Sequence, residues 1–327
     1  MDGDIQTMSG IAERVGRGRV YDNIAETIGN TPVVRLSKLA EKHAVQAEIL
    51  AKMECFNPCS SVKDRSAFAM IEKMIEDGLI VEGTELVEAT SGNNGIACAW
   101  ICALKGISLT ICMPEHMSIE RRRILALFGA NLILTPRAKG TKGAIDKADA
   151  IVANNPKARL LGQFSNPANP AMHCISTATE LLNDTGGNVD VIVAGVGTGG
   201  TLMGLAMKFK EINPNVKIIA VEPASCPVLS QGKAGVHKIQ GLSSGHVPDI
   251  IRRELIDEVM TVENDDAIAM ARELALVEGI SAGISSGAAA HACVQIGQRE
   301  DMKGKVIATI LADAADRYIS SELFEGI

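Results

Sequence analysis

The chain alternates short apolar runs with stretches of helical periodicity, and this alternation constrains its fold more than any other feature. Helical patterns occupy Ser118–Phe128, Ala168–Asn183, Thr201–Ile212, Asp265–Val277 and 286–296. The apolar runs are typical of strands buried on both faces, and they are Glu85–Ala89, Ile107–Met113, Asn131–Thr135, Val189–Val196, Lys217–Val221 and Lys305–Leu311. Such alternation predicts an α/β fold with parallel strands.

Composition limits the possible size and partners of the protein. With 327 residues, 46% of them hydrophobic, the chain can bury two cores, so two domains or lobes are expected. A net charge of −7 and an aromatic content of 3% argue against a nucleic-acid partner. The one basic run, Arg121–Arg123, falls within an amphipathic pattern and is predicted to be a solvated helix face.

Cysteine spacing and hydropathy indicate the compartment. The eight cysteines form no Cys-x-x-Cys pair and have no matching histidine spacing, so we expect free thiols and no metal site. Residues 1–19 are unlike a signal peptide, and the longest apolar run, Ile96–Leu104, is too short to span a bilayer. We therefore expect a cytoplasmic protein with no membrane association.

The segment 57–65 places a lysine at the start of a helix. Ser61 and Asp64 have the spacing of a capping box, and the helical pattern that follows ends at Gly78. Lys63 lies in the first turn, where the helix dipole disfavours a cation and lowers an amine's pKa. A neutral amine is what an imine-forming lysine requires. The alternative is an exposed lysine on an amphipathic helix.

Two polar or glycine-rich loops follow predicted strands, where open α/β sheets bind ligands. The loop Thr90–Gly95 precedes a helix predicted at Ile96–Lys105, and it suits a carboxylate or another small anion; the alternative is an ordinary turn. The loop Gly195–Thr201 is a stronger candidate for binding phosphate.

The second loop also permits a different reading. Gly195, Gly197 and Gly200 form a G-x-G-x-x-G pattern, and Glu222 ends the next strand. This pattern is typical of nicotinamide-dependent oxidoreductases, in which the acidic residue binds a ribose hydroxyl. That alternative leaves Lys63 and the loop Thr90–Gly95 without a role.

Seven ordered motifs between Tyr21 and Ser320 resemble the fold-type II pyridoxal-phosphate enzymes, and most closely the cysteine synthase (O-acetylserine sulfhydrylase) family. These motifs are the stretch Asn23–Pro32, the segment 57–65, Thr90–Gly95, Gly162–Phe164 with Asn166–Pro170, Gly197–Thr201, Ile239–Gly241 and Ala282–Gly287. The resemblance implies two open twisted-sheet lobes with helices on both faces. It divides the chain into an N-terminal segment on the large lobe (1–54), a smaller mobile substrate-binding lobe (55–165) and a larger lobe that binds the cofactor phosphate (166–327).

The resemblance also implies roles for individual residues. Lys63 would form the imine with pyridoxal 5′-phosphate and later move the substrate's α-proton, Asn93 would bond the cofactor's 3′ oxygen, and Ser285 would face the pyridine nitrogen. The phosphate would lie on Gly197, Thr198, Gly199, Gly200 and Thr201. The substrate carboxylate would lie on Thr90, Ser91, Gly92, Asn94 and Gln163, with Gly241 nearby.

The implied reaction is β-replacement, in which O-acetyl-L-serine loses acetate to give an α-aminoacrylate and sulfide then adds to form L-cysteine. The alternatives are a related β-substituted alanine synthase, using serine or making cyanoalanine, and a catalytically weakened binding protein that captures a peptide C-terminus. A homodimer is implied, and the C-terminal peptide of serine acetyltransferase is a possible partner.

Three positions depart from the family pattern. Asn94 replaces the second threonine of Thr-Ser-Gly-Asn-Thr-Gly, and Asp313 replaces the serine of Leu-Pro-Ser-x-Gly-Glu-Arg-Tyr, where it would lie near the cofactor ring. His246 lies in a divergent stretch, either as a lobe-interface histidine or in contact with the nucleophile or leaving group. A changed substrate or a weakened turnover would originate at these positions.

Overall fold

The computed structural model describes residues 18–327. Its strands are β1 (Val33–Arg35), β2 (Glu48–Met53), β3 (Glu85–Ala89), β4 (Ser108–Pro114), β5 (Asn131–Thr135), β6 (Ala158–Leu160), β7 (Val191–Gly195), β8 (Lys217–Pro223), β9 (Glu258–Val262) and β10 (Val306–Leu311). Its α-helices are α1 (Ser37–Lys42), α2 (Lys63–Glu76), α3 (Asn93–Lys105), α4 (Ile119–Leu127), α5 (Gly140–Asn154), α6 (Ala168–Met172), α7 (Ala178–Thr185), α8 (Gly200–Ile212), α9 (Val228–Gln231), α10 (Asn264–Glu273) and α11 (Ile284–Gly297).

These strands form two sheets, each the centre of one lobe. The large sheet has the order β1-β2-β10-β7-β8-β9 and the small sheet the order β5-β4-β3-β6. All neighbouring strands are parallel except β1, which pairs antiparallel with β2. The predicted α/β fold with two open sheets is confirmed.

Alternating side chains of each strand supply two different cores, which is why the apolar runs are continuous. In the large lobe, Val191 and Val193 pack into a core with α10 and α11, whereas Ile192 and Ala194 pack into a second core with α7 and α8. The small sheet is likewise covered on both faces, by α2, α3 and α4 on one side and by α5 on the other. Helices on both faces leave no solvated side to produce a polar alternation.

The sequence pattern missed four strands, and each is short or lies towards a sheet edge. Three of them, β1, β6 and β9, have five residues or fewer and include exposed or half-exposed positions. The fourth, β2, carries a charged residue, Lys52, that is nevertheless fully buried. The predicted helix 168–183 forms as α6 and α7, with a π-helical turn, His173–Thr177, between them.

A buried ion network joins the two lobes next to the predicted catalytic lysine. The guanidinium of Arg65, on α2 of the small lobe, donates from Nε to Glu54 Oε2 at 2.7 Å and from Nη1 to Glu180 Oε1 at 2.6 Å. Lys52 Nζ lies 2.9 Å from Glu180 Oε2. Burial acts to raise the pKa of the Glu180 carboxyl, but hydrogen bonds and charge from Arg65 outweigh it and lower that pKa to about 2.

Arg65→Ala is expected to destabilise the fold strongly, because it leaves Glu54 buried without its cation. Removing one partner of a buried pair costs about 3–5 kcal/mol. The midpoint of denaturant unfolding measures this loss. Lys73→Ala is the matched control, since Lys73 lies on the same helix and pairs with Asp77 at the surface. Equal midpoints for the two variants would contradict the structural role of the network.

Candidate functional site

Lys63 begins α2 at a turn that is held by the two residues that follow β10, Ala312 and Asp313. Val62 N donates to Ala312 O at 2.8 Å, and Ser61 forms an isolated antiparallel bridge with Asp313. The predicted capping box is wrong in its second half. Ser61 Oγ does accept from Lys63 N at 3.1 Å, but Asp64 Oδ2 accepts from Cys59 N at 2.6 Å.

Asp64 does not reach back to Ser61 because its carboxylate is drawn into the small-lobe core. Trp100 Nε1 donates to Asp64 Oδ1 at 3.2 Å, and both side chains are buried. The start of α2 is therefore fixed by a side chain of α3 as well as by its own loop. The predicted end of this helix at Gly78 is confirmed, since Asp77 is the C-cap and Gly78 has φ +68°.

The amine of Lys63 has a lowered pKa, as predicted, but mainly for a different reason. Burial disfavours the ammonium and lowers the pKa, whereas the nearby Asp313 carboxylate opposes this shift. The site thus favours a neutral amine through its surroundings, beyond any effect of the helix dipole.

The first loop contains a helix start with unpaired polar groups. Helix α3 begins at Asn93, three residues earlier than predicted, and its N-cap Gly92 provides no side-chain hydrogen bond. Asn94 is 3% exposed, yet neither its Oδ1 nor its Nδ2 has a hydrogen-bond partner among the described residues. A buried amide without partners at a helix N-terminus is suited to binding an anionic ligand.

Asp313 contacts this loop from the large lobe. Asn93 Nδ2 donates to Asp313 Oδ2 at 2.5 Å, and Tyr318 Oη donates to the same oxygen. Burial raises the pKa of the Asp313 carboxyl, and these two hydrogen bonds oppose the increase. The other oxygen, Oδ1, is buried without a partner among the described residues, as is Oδ1 of Asn93.

The second loop forms a narrow backbone cradle between β7 and α8. Gly199, the N-cap of α8, has φ +87°, and no side chain caps the helix. A Cβ on Gly197 would lie 2.2 Å from the carbonyl oxygen of Gly241, so the close approach of these loops requires glycine. The hydroxyls of Thr198 and Thr201 flank the helix start. Hydroxyls next to the backbone N–H groups of a helix start suit a phosphate.

Two further residues hold these threonines, and the sequence analysis assigned neither of them a role. Asn169 Nδ2 bonds Thr198 Oγ1 at 3.1 Å, and His173 Nε2 lies 3.3 Å from Thr201 Oγ1. Burial, with the charge of Arg65, lowers the pKa of His173 to about 3, so its ring is neutral at physiological pH. Asn169 belongs to the Asn166–Pro170 motif, which was the available signal, and His173 follows that motif in the π-helical turn.

The structure also gives the surroundings of Ser285, Gln163 and His246. Ser285 lies in the first turn of α11, and a Cβ on Gly241 would lie 3.6 Å from its hydroxyl. Gln163 Nε2 donates to Glu88 Oε1 at 3.2 Å, and burial raises the pKa of Glu88 to about 7. His246 is exposed, with its ring centroid 5.1 Å from that of Phe164.

The prediction for the basic run 121–123 is wrong for Arg121. Its Nη1 donates to Ser91 O at 2.7 Å and its Nη2 donates to Gln240 Oε1 at 2.8 Å. Only Arg123 of the run is exposed. The amphipathic pattern did not reveal this because the partners are distant in sequence and one is a backbone carbonyl.

The structure argues against the oxidoreductase alternative, because Glu222 is not available to bind a ribose hydroxyl. Both carboxylate oxygens of Glu222 are occupied within its own chain segment: Leu229 N and Ser230 N donate to them at 2.8 and 3.0 Å, and Ser230 Oγ donates at 2.6 Å. Glu222 is 1% exposed. It caps a short helix and presents no free oxygen to a ribose.

Comparison with known proteins identifies the family of the chain. Residues 24–313 match the model of the pyridoxal-phosphate dependent enzyme family. The chain belongs to this family. It is 47% identical to cysteine synthase A of Escherichia coli over 318 residues, which covers 94% of this chain and 97% of that protein. It is 45% identical to cysteine synthase B of Campylobacter jejuni over 306 residues, covering 94% and 99%.

Solved structures give the same result. A cysteine synthase of Entamoeba histolytica is 43% identical with a TM-score of 0.93, covering 95% of this chain and 93% of that one. O-ureido-L-serine synthase is 37% identical with a TM-score of 0.90, covering 94% and 96%.

The residues present fit pyridoxal 5′-phosphate, the cofactor of this family. A Gly-Thr loop at the uncapped start of α8 suits its phosphate, and an amine with a lowered pKa suits its aldehyde. The unpartnered Asn93 Oδ1 and Asp313 Oδ1 show that polar groups of this site are not satisfied by the protein alone.

Within residues 18–327, no helix is long and apolar enough to cross a membrane.

Gly197→Ala is expected to reduce cofactor binding, because its methyl group would collide with a backbone carbonyl that cannot rotate away. Dialysis followed by measurement of the protein-bound cofactor absorbance would detect the loss. Gly92→Ala is the contrast, since a Cβ there meets nothing within 4 Å and its φ is −109°. Full cofactor retention in Gly197→Ala would show that the cradle does not hold the phosphate.

Proposed function

We propose that this protein makes L-cysteine from O-acetyl-L-serine and sulfide, with pyridoxal 5′-phosphate linked to Lys63. The observation that carries the proposal is the position of the Lys63 amine, whose lowered pKa favours its neutral form. It lies at a turn that is bridged to Asp313, and Asp313 also bonds Asn93 of the first loop. The bound cofactor supplies the electron sink that makes the α-proton acidic and lets the β-substituent leave.

In this proposal the large lobe holds the cofactor. The amides of Gly197, Gly199 and Gly200 and the hydroxyls of Thr198 and Thr201 bind its phosphate. Ser285 would face the pyridine nitrogen with a neutral hydroxyl, which would not hold that nitrogen protonated and would thereby favour elimination chemistry. Lys63 takes the α-proton of the amino acid once its amine is free.

The small lobe binds the amino acid. Thr90, Ser91, Gly92 and Asn94 surround the start of α3, where amide donors and the helix dipole attract the substrate carboxylate. Gln163 completes this pocket from the connection between the lobes, and Gly241 lines it from the large lobe. Glu88 Oε1 accepts from Gln163 Nε2, and this bond orients the side-chain carbonyl oxygen of Gln163 away from Glu88.

We also propose that residues 55–165 move as a lobe when the carboxylate binds, with 1–54 and 166–327 as the stationary part. The strands support this division, since all four strands of the small sheet lie between Glu85 and Leu160. Closure would shelter the reacting centre from water.

The assembly and location are proposals of the same kind. A homodimer in the cytoplasm is consistent with the commonness of two-fold assemblies and with the free cysteines. A helix start that takes an amino-acid carboxylate could also take the C-terminal carboxylate of a peptide, so capture of the serine acetyltransferase C-terminus is part of the proposal.

Lys63→Ala is expected to abolish both the visible absorbance of the protein-linked cofactor and cysteine formation from O-acetylserine and sulfide. The absorbance spectrum and a cysteine assay measure the two effects. Lys73→Ala, on the exposed face of the same helix, is expected to keep both. Normal colour and turnover in Lys63→Ala would end the assignment.

Asn94→Ala is expected to raise the KM for O-acetylserine roughly ten- to a hundredfold, because a hydrogen bond to a charged group is worth about 1.5–3 kcal/mol. The cofactor spectrum should not change. Asn94→Thr, which restores a hydroxyl donor, should recover part of the loss. Steady-state kinetics test this, and an unchanged KM in Asn94→Ala would place the substrate carboxylate elsewhere.

A further inference from the structure

The loop Ser91–Asn93 is connected to the large lobe at both of its ends, directly through Asp313 and indirectly through Arg121, and both side chains lie outside the predicted substrate pocket. At one end, Ser91 O accepts from Arg121 Nη1 at 2.7 Å. At the other end, Asn93 Nδ2 donates to Asp313 Oδ2 at 2.5 Å. Between these ties lies the N-cap Gly92, which makes no capping bond of its own.

Arg121 spans the lobes although it belongs to the small one. Its second nitrogen donates to Gln240 Oε1 at 2.8 Å, and its guanidinium carbon lies 5.8 Å from the ring centroid of Tyr318. Both of these partners are in the large lobe. The planar fork of arginine can serve two acceptors at once, which a lysine ammonium cannot reproduce with the same geometry.

Tyr318 connects the two ties. Its ring faces Arg121, and its hydroxyl donates to the Asp313 oxygen that also accepts from Asn93. The contacts thus form one circuit, which runs from Ser91 through Arg121, Tyr318 and Asp313 to Asn93. A loop held at both ends by one circuit has few positions available to it.

We propose that Arg121 and Asp313 are positioning residues that hold the loop Ser91–Asn93 against the large lobe in the geometry that binds the substrate carboxylate. This inference deepens the proposed function, and it rests on it for the identity of the ligand. Asp313 also orients the Asn93 amide. Its carboxylate oxygen accepts one Nδ2 hydrogen, which leaves the second Nδ2 hydrogen for the 3′ oxygen of the cofactor.

The carboxyl group of Asp313 is fixed as well. Asp313 is 3% exposed, and a Cβ on Gly283 would lie 2.1 Å from its Oδ1, so the N-cap of α11 is packed directly against this carboxyl group. A shorter side chain at position 313 would not reach Asn93 from this backbone. Asp313→Ser introduces the residue found in the family motif. It therefore removes the hydrogen bond to Asn93 and leaves a small hydroxyl group at position 313.

The first test measures the loop itself in the holoenzyme without any amino acid. Amide hydrogen exchange of residues 91–95 is expected to be roughly tenfold faster in Arg121→Met and in Asp313→Ser than in the wild type, since each variant removes a charge-assisted hydrogen bond. Arg123→Met is the matched control, because Arg123 is exposed on the same helix. It should exchange like the wild type.

The second test titrates the holoenzyme with O-acetylserine while the cofactor absorbance is recorded. The concentration for half-maximal change is expected to rise roughly tenfold in Arg121→Met, with an unchanged KM for sulfide and unchanged cofactor content. Arg121→Lys should recover only part of this loss. A purely structural role would change the cofactor content and both substrates together.

The outcomes separate this inference from the proposed function. If the wild type responds to another amino acid but not to O-acetylserine, the proposed substrate fails, and the same comparison is made with that amino acid. Unchanged exchange of residues 91–95 in both Arg121→Met and Asp313→Ser would overturn the positioning role. So would an equal effect of Arg123→Met.

Discussion

The arrangement of the site depends on the burial of one guanidinium, that of Arg65, between carboxylates of the other lobe. Arg65 is two residues from Lys63, and its side chain is bound by Glu54 and Glu180. Ionised groups are expensive to bury, so this network is not explained by stability alone. Its geometry fixes the start of α2 relative to the large sheet. The start of α2, which carries Lys63, is thereby held against the large sheet.

Three helices have a glycine at the N-cap and no side-chain cap there: α3 at Gly92, α8 at Gly199 and α11 at Gly283. An uncapped start leaves backbone N–H groups for a ligand, at some cost to the helix. Glycine at each N-cap position also lets the backbone approach the ligand closely. The two anionic groups of the reaction, the cofactor phosphate and the substrate carboxylate, are each matched by one such start in the proposed function.

The sequence predicted much of this because the fold places local signals at strand ends. Continuous apolar runs identified six of the strands, and the two loops followed β3 and β7 as expected.

The features that the sequence could not predict depend on partners that are distant along the chain. Arg121 resembles one more charge on an amphipathic helix, and only the folded chain shows that Gln240, 119 positions further along the sequence, accepts from it. The sequence analysis likewise assigned no role to His173, yet it is 2% exposed and its Nε2 lies 3.3 Å from Thr201 Oγ1. Short strands such as β6 escaped because three residues carry no reliable period.

The amine of Lys63 illustrates how a correct prediction can rest on an incomplete cause. A helix dipole contributes about 0.3–1 kcal/mol near a terminus, which is less than the effect that burial has on an ammonium group. Burial is the larger cause here, and it depends on the packing of the lobes around the turn rather than on the helix. The only opposing influence of note is Asp313, the acid that replaces the serine of the family motif. A carboxylate at position 313 therefore keeps the lysine more basic than a serine would, and its Oδ2 also accepts from Asn93 Nδ2. In the proposed function, one side chain thus influences both the proton affinity of Lys63 and the position of the loop Ser91–Asn93.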